Sequence, residues 1–131
     1  MSRSILLADD SAVARRAIRN LVTGRLGDTI TYDEAAGGLE ALDKAIASKP
    51  DVAVLDIAMP GLNGVEAARC ISEQCPETAV LTISYYDVKP ILPRIRQAGV
   101  RGFVPKASMA FHLIPAIEAL LEGKTYFASQ T

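Results

Sequence analysis

Short apolar runs alternate along the chain with stretches in which apolar residues recur every three or four positions. Ile5-Leu6-Leu7-Ala8 and Val52-Ala53-Val54-Leu55 both run into acid, and Ala79-Val80-Leu81-Thr82-Ile83 runs into Ser84. Continuous rather than alternating runs suit parallel strands buried on both faces. Residues 29–36 mix Ile30 and Tyr32 with polar side chains and predict an edge strand. Gly102-Phe103-Val104-Pro105 predicts a short fifth strand. Its proline has no amide donor and belongs at an edge or a strand end.

The intervening stretches predict helices. Ala14, Ile18, Leu21 and Val22 form the first apolar face, with Ser11 as its N-cap. Leu39, Leu42 and Ile46 form the second, and Val65, Ala68 and Ile71 the third. Val88, Ile91, Leu92 and Ile95 form the fourth. Leu113, Ile117, Leu120 and Leu121 form the fifth, with Gly123 as its stop. Pro90, Pro93 and Pro115 fall inside the last two patterns. Proline is tolerated only in a helix's first turn. The fourth helix is therefore predicted to begin near Pro90, and the fifth to begin late or with a distorted first turn. A strand followed by a helix, five times over, predicts a parallel sheet with right-handed crossovers and helices on both faces.

Length and charge narrow the reading. The chain has 131 residues, enough for one domain, and half are hydrophobic, enough for a sizeable core. Fourteen basic and 15 acidic residues leave a formal charge of -1. That balance predicts no direct nucleic-acid or membrane binding. Cys70 and Cys75, five apart on a helix, do not share a face; with His112 as the single histidine they make no zinc pattern. They are predicted to be free thiols in a reducing compartment. The first residues do not resemble a secretory signal, and no run is long enough to span a bilayer. Gly37-Gly38 is a turn, without G-x-G-x-x-G or a Walker lysine. The expectation is a cytoplasmic protein.

The chemistry concentrates at the strand ends. The first strand ends at Asp9-Asp10, the third at Asp56 and the fourth at Ser84, and Lys106 follows the fifth. In open parallel sheets, ligands bind beyond the carboxyl ends of the strands. Each group alone has a plain structural explanation: a cap, a turn, a strand-end hydroxyl, a solvated lysine. All five at one sheet edge point to a site. Three neighbouring carboxylates cannot all stay ionised without a cation, and an all-oxygen donor set suits Mg²⁺. A carboxylate beside such a cation can attack phosphorus, with the lysine neutralising the phosphoryl oxygens.

Asp56-Ile57-Ala58-Met59-Pro60-Gly61-Leu62-Asn63-Gly64-Val65-Glu66 resembles the D-x-x-M-P-x-x-x-G-x-E signature of bacterial response-regulator receiver domains. Asp9-Asp10 resembles the acidic pair of that family, Ser84 its switch hydroxyl, Phe103 its switch aromatic and Pro105-Lys106 its lysine. The resemblance extends over residues 3–125. The ending Leu121-Glu122-Gly123-Lys124-Thr125-Tyr126 is similar to receivers of the NarL/LuxR type. The resemblance implies a flavodoxin-like, doubly wound (βα)5 fold with strand order 2-1-3-4-5. It implies a receiver over residues 1–125, and over 126–131 a tail or the start of a linker to an output domain.

The resemblance also implies roles. Asp56 is the phosphoacceptor. Asp10, Asp56 and the Ala58 carbonyl ligate Mg²⁺, for which Mn²⁺ can substitute, and Asp9 helps hold it. Lys106 and Ser84 contact the phosphoryl group, and Ser84 and Phe103 act as the switch. Ala58, Tyr85 and Tyr86 tune the phosphoryl lifetime, the tyrosines by shielding or else by pointing to solvent or a dimer contact. The donor is a sensor histidine kinase, docked near the first helix, whose Arg15, Arg16 and Arg19 otherwise read as a solvated basic face. A homodimer and a fused DNA-binding output domain are further implied partners. The domain itself would be no enzyme beyond its own phosphorylation and dephosphorylation.

Two other readings compete. A haloacid-dehalogenase-like phosphatase wants its nucleophile on the first strand and a second Asp two residues on, which adjacent Asp9-Asp10 and Ala58 do not supply. A receiver-like module that signals without phosphate would have no use for the intact Asp9, Asp10, Asp56, Ser84 and Lys106.

Overall fold

A computed structural model describes residues 3–27, 29–59 and 63–128. Pro60, Gly61 and Leu62 of the signature lie outside the described residues. Six parallel strands form one sheet: β1 (Arg3–Ala8), β2 (Ile30–Ala35), β3 (Val52–Asp56), β4 (Ala79–Ser84), β5 (Gly102–Pro105) and β6 (Tyr126–Phe127). Their order is β2-β1-β3-β4-β5-β6. The doubly wound fold and the order 2-1-3-4-5 are as expected, and β6 extends the sheet at the β5 edge.

Five helices cross between the strands: α1 (Ala12–Leu26), α2 (Gly38–Ser48), α3 (Gly64–Gln74), α4 (Leu92–Gln97) and α5 (Met109–Leu121). Alternate strand residues feed two separate cores. Leu6, Ala8, Ala53, Leu55, Val80 and Phe103 pack with residues of α2, α3 and α4, such as Ala41, Ile71 and Ile95. Ile5, Leu7, Val54, Leu81, Ile83 and Val104 pack with Ile18 and Val22 of α1 and Leu113 and Ile117 of α5. β3 and β4 are buried along their whole length, which is why their sequences are apolar without alternation.

Three expectations need correction. The buried face of α2 is Gly38, Ala41 and Ala45; of the expected face Leu42 packs partly buried against the core, while Leu39 and Ile46 are exposed. Small side chains let α2 approach closely, so the large ones turn outward. The fifth helix does not begin late: Pro115 sits in the interior of α5. Proline cannot donate to the carbonyl of Phe111, but both residues are exposed, so water can satisfy that carbonyl. Tyr126 and Phe127, read as tail or linker, pair with Gly102 and Phe103 as β6. The fourth helix behaves as predicted: a 3₁₀ turn over Lys89–Ile91 carries Pro90, and α4 proper starts at Leu92 with Pro93 in its first turn. Gly123, with φ of 79°, stops α5 as anticipated.

Candidate functional site

The β1, β3 and β4 ends are adjacent, and β5 follows β4. Asp9, Asp56, Ser84 and Lys106 are all buried there, and Asp10 is exposed at the mouth. The Lys106 ammonium stands 2.9 Å from Asp56 Oδ2 and 2.6 Å from Asp9 Oδ2. Burial alone would lower the pKa of this lysine. Asp9 and Asp56 more than offset that, so it is raised above the usual lysine value and the ammonium stays charged.

Backbone donors hold the carboxylates. Asp56 Oδ1 accepts from the Ala58 N–H at 3.0 Å, and Asp9 Oδ1 from the Ser11 N–H at 2.9 Å. Ser11 also caps α1, its Oγ accepting from the Ala14 N–H at 3.2 Å. Ser84 Oγ accepts from the Tyr86 N–H at 2.9 Å. The signature's glycine has a steric cause. A Cβ on Gly64 would lie 2.4 Å from both the Asp56 carbonyl oxygen and Ile57 Cα. Gly64 thus lets the start of α3 press against the end of β3, where its N–H donates to the Ile57 carbonyl at 3.0 Å. Asn63 caps α3 by accepting from the Glu66 N–H at 2.9 Å, and Met59 is buried in the α2–α3–α4 core.

The site fits a hard divalent cation. Asp9, Asp10 and Asp56 each offer a carboxylate oxygen within 4.8 Å of the others. Asp9 Oδ2 is buried without a hydrogen bond of sound geometry, its contact to Lys106 being ionic. A cation would satisfy that oxygen and relieve the mutual repulsion.

The flanking residues divide. The Tyr85 ring lies over the Lys106 ammonium, 5.1 Å from ring centroid to Nζ, at the outer edge of the site. Tyr85 and Tyr86 are both largely exposed. Phe103 is 1% exposed and lines a cleft of about 230 Å³ with Val88, Leu92, Arg96 and Phe127.

One residue of the site was missed by sequence reasoning. Arg15, read as part of a solvated face, has a side chain only 17% exposed. It donates from Nη1 to the Asp9 carbonyl at 2.5 Å and from Nε to Glu34 Oε1 at 2.8 Å. A signal existed. The first turn of a helix disfavours a cation, so a basic residue there with no acid beside it asks for a tertiary partner.

Residues 5–118 match the family described as the response regulator receiver domain. The chain belongs to that family. It is 35% identical over 123 residues to the oxygen regulatory protein NreC of Staphylococcus epidermidis, covering 93% of this chain and 56% of NreC. It is 30% identical over 126 residues to the response regulator GacA of Pseudomonas viridiflava, covering 96% of this chain and 58% of GacA. The receiver therefore spans little more than half the length of the curated relatives it matches. Among solved structures, a two-component response regulator of the LuxR family from Aurantimonas sp. SI85-9A1 superposes with a TM-score of 0.87 at 30% identity. That match covers 96% of this chain and 89% of the other. The resemblance to receivers of the NarL/LuxR type is borne out, and the domain is a signalling receiver. Among the described residues no helix is long and apolar enough to cross a membrane.

Proposed function

We propose that this receiver takes a phosphoryl group from a phosphohistidine of a sensor kinase onto Asp56, in a Mg²⁺-dependent reaction, and thereby controls an output, transcription. The observation that carries the proposal is the buried Lys106 ammonium set between Asp9 and Asp56, with Asp10 within reach of both carboxylates.

Asp56 supplies the nucleophilic oxygen. A new oxygen–phosphorus bond forms as the bond from phosphorus to the donor imidazole breaks, and the electron pair leaves with the imidazole. The Ala58 N–H and the Lys106 ammonium hold the carboxylate's two oxygens in place beforehand. Lys106 then neutralises charge on the transferred group. Ser84 Oγ, which accepts from Tyr86, keeps its own proton to donate to a phosphoryl oxygen. Asp10, Asp56 and the Ala58 carbonyl would hold Mg²⁺ or Mn²⁺ with Asp9 in support; the bound cation supplies charge neutralisation. Movement of Ser84 toward the phosphoryl group opens space for Phe103, whose cleft adjoins α4, and α4 with its loops takes a second arrangement. A DNA-binding output domain, a homodimer and a cytoplasmic setting complete the proposal; a structural neighbour described as a LuxR family DNA-binding response regulator supports the first of these.

The test is incubation with Mg²⁺ and acetyl phosphate, followed by mass spectrometry of the intact protein and its peptides. A phosphoryl adduct on Asp56, absent without divalent cation and absent in Asp56→Asn, is the expected result. A folded protein left unmodified would instead support a receiver that signals without phosphate.

A further inference from the structure

We infer that Arg15, held by Glu34, is a positioning residue for the acidic pair: it fixes the Asp9–Asp10 peptide so that both carboxylates face the cation together. The inference rests on the Mg²⁺-dependent reading of the site.

The geometry is that of a clamp between two secondary-structure ends. Arg15 lies in the first turn of α1, its N–H bonded to the Ser11 carbonyl at 3.1 Å. Its guanidinium spans the Asp9 carbonyl and the Glu34 carboxylate, which a planar fork can do and a lysine ammonium cannot do in the same way. Glu34 is itself fixed. It pairs with Leu7 in the β1–β2 register, and its carbonyl accepts from Lys44 Nζ at 2.5 Å. Arg19 Nη1 stands 3.6 Å from its other oxygen, Oε2.

Asp9 is therefore constrained at every polar atom. Its N–H donates to the Ala35 carbonyl at 3.0 Å, its carbonyl accepts from Arg15, Oδ1 accepts from Ser11 and Oδ2 faces Lys106. The Asp9 carbonyl belongs to the peptide that leads into Asp10. Holding it sets the plane of that peptide, and with it the direction in which the Asp10 side chain leaves the backbone. Asp10 is exposed at the mouth of the site, so its aim depends on its backbone more than on packing.

Charge and orientation make opposite predictions here. Glu34 neutralises Arg15, so the clamp brings no net charge to the carboxylates. Removing the guanidinium alone would leave Glu34 as an extra anion nearby, and by charge alone would tighten Mg²⁺ binding. Losing the orientation would weaken it.

The deciding experiment is calorimetric Mg²⁺ titration of wild type, Arg15→Met, Arg15→Lys and the double variant Arg15→Met/Glu34→Gln, with urea denaturation in metal-free buffer alongside. Arg15→Met and Arg15→Lys are each expected to weaken Mg²⁺ on the order of tenfold, as loss of outer-sphere support typically does. The double variant should bind Mg²⁺ no more tightly than Arg15→Met, because it lacks the orientation and also the uncompensated Glu34 anion. Acetyl-phosphate labelling of the single variants should need more Mg²⁺ and then reach the wild-type maximum rate. Mg²⁺ affinity unchanged or tighter in Arg15→Met, with only a lower urea midpoint, would overturn the clamp and leave Arg15 a stability residue. If Arg15→Met does not fold, the charge-preserving Arg15→Lys decides by the same affinity. Wild-type protein that binds no Mg²⁺ would overturn the reading of the site instead, an outcome distinct from variants that bind as wild type does.

Discussion

Lys106 Nζ stands 2.9 Å from Asp56 Oδ2, with both side chains less than a tenth exposed. The same ammonium meets Asp9 at 2.6 Å, so one cation balances two buried anions. Lys106→Met would leave both without a cationic partner, each keeping one backbone N–H donor. Removing one side of a buried ion pair costs about 3–5 kcal/mol, and urea denaturation in metal-free buffer should register a loss of that order. Mg²⁺ should stabilise this variant more than it stabilises wild type, because it replaces part of the missing charge. The pKa of Lys106 is raised in the fold. Its stabilising contribution is therefore fully present below the ordinary lysine value and is lost as pH rises through the raised one. The difference between wild type and Lys106→Met should accordingly stay constant across neutral pH and narrow only in strong alkali.

Gly64 is held by contact rather than by conformation. A Cβ would meet backbone atoms of Asp56 and Ile57 at 2.4 Å, and backbone cannot swing aside as a side chain can. Gly64→Ala should destabilise the domain by about 1–3 kcal/mol or more, as overpacking does. It should also slow acetyl-phosphate labelling, since relief of the clash moves the backbone that carries Asp56. Normal stability with a normal labelling rate would contradict the steric account.

The two cysteines should differ in reactivity. Burial pushes the Cys75 thiol above its usual pKa, so it stays protonated and enclosed. Cys70 is partly exposed. Brief treatment of the native protein with iodoacetamide should label Cys70 and spare Cys75, and urea should abolish the difference. Peptide mass spectrometry reads both.

Much of this was legible because the fold writes its buried strands as unbroken apolar runs and its site as the residues that end them. Asp9, Asp56, Ser84 and Lys106 each sit where a run stops, and neighbouring strand ends bring them together. Tyr126 and Phe127 were not legible as a strand. Two residues carry no period, and what makes them β6 is the free edge of β5, supplied by tertiary structure. The face of α2 was misread for a related reason. Leu39 and Ile46 dominate a hydrophobicity pattern, but the side chains buried on that helix are the small ones of Ala41 and Ala45. Arg15 escaped because its partners, the Asp9 carbonyl and Glu34, lie on different elements and one is a backbone atom. Side-chain periodicity does not register a backbone acceptor.

Tyr85 poses the last test. Its ring covers the Lys106 ammonium at 5.1 Å while most of its surface remains in water. On the shielding reading, the ring restricts the approach of a hydrolytic water from its own side and holds the lysine by cation–π attraction, worth about 0.5–1 kcal/mol at an exposed site. Tyr86 is equally exposed, but its recorded link to the site is through its backbone N–H to Ser84, which side-chain removal would leave intact. Tyr85→Ala should therefore shorten the phosphoryl lifetime on Asp56, while Tyr86→Ala should change it little. The measurement is decay of the labelled protein after removal of acetyl phosphate, followed by intact mass. Equal lifetimes in wild type and Tyr85→Ala would show that the ring shields nothing, and a larger effect from Tyr86→Ala would move the shielding role to the neighbouring ring.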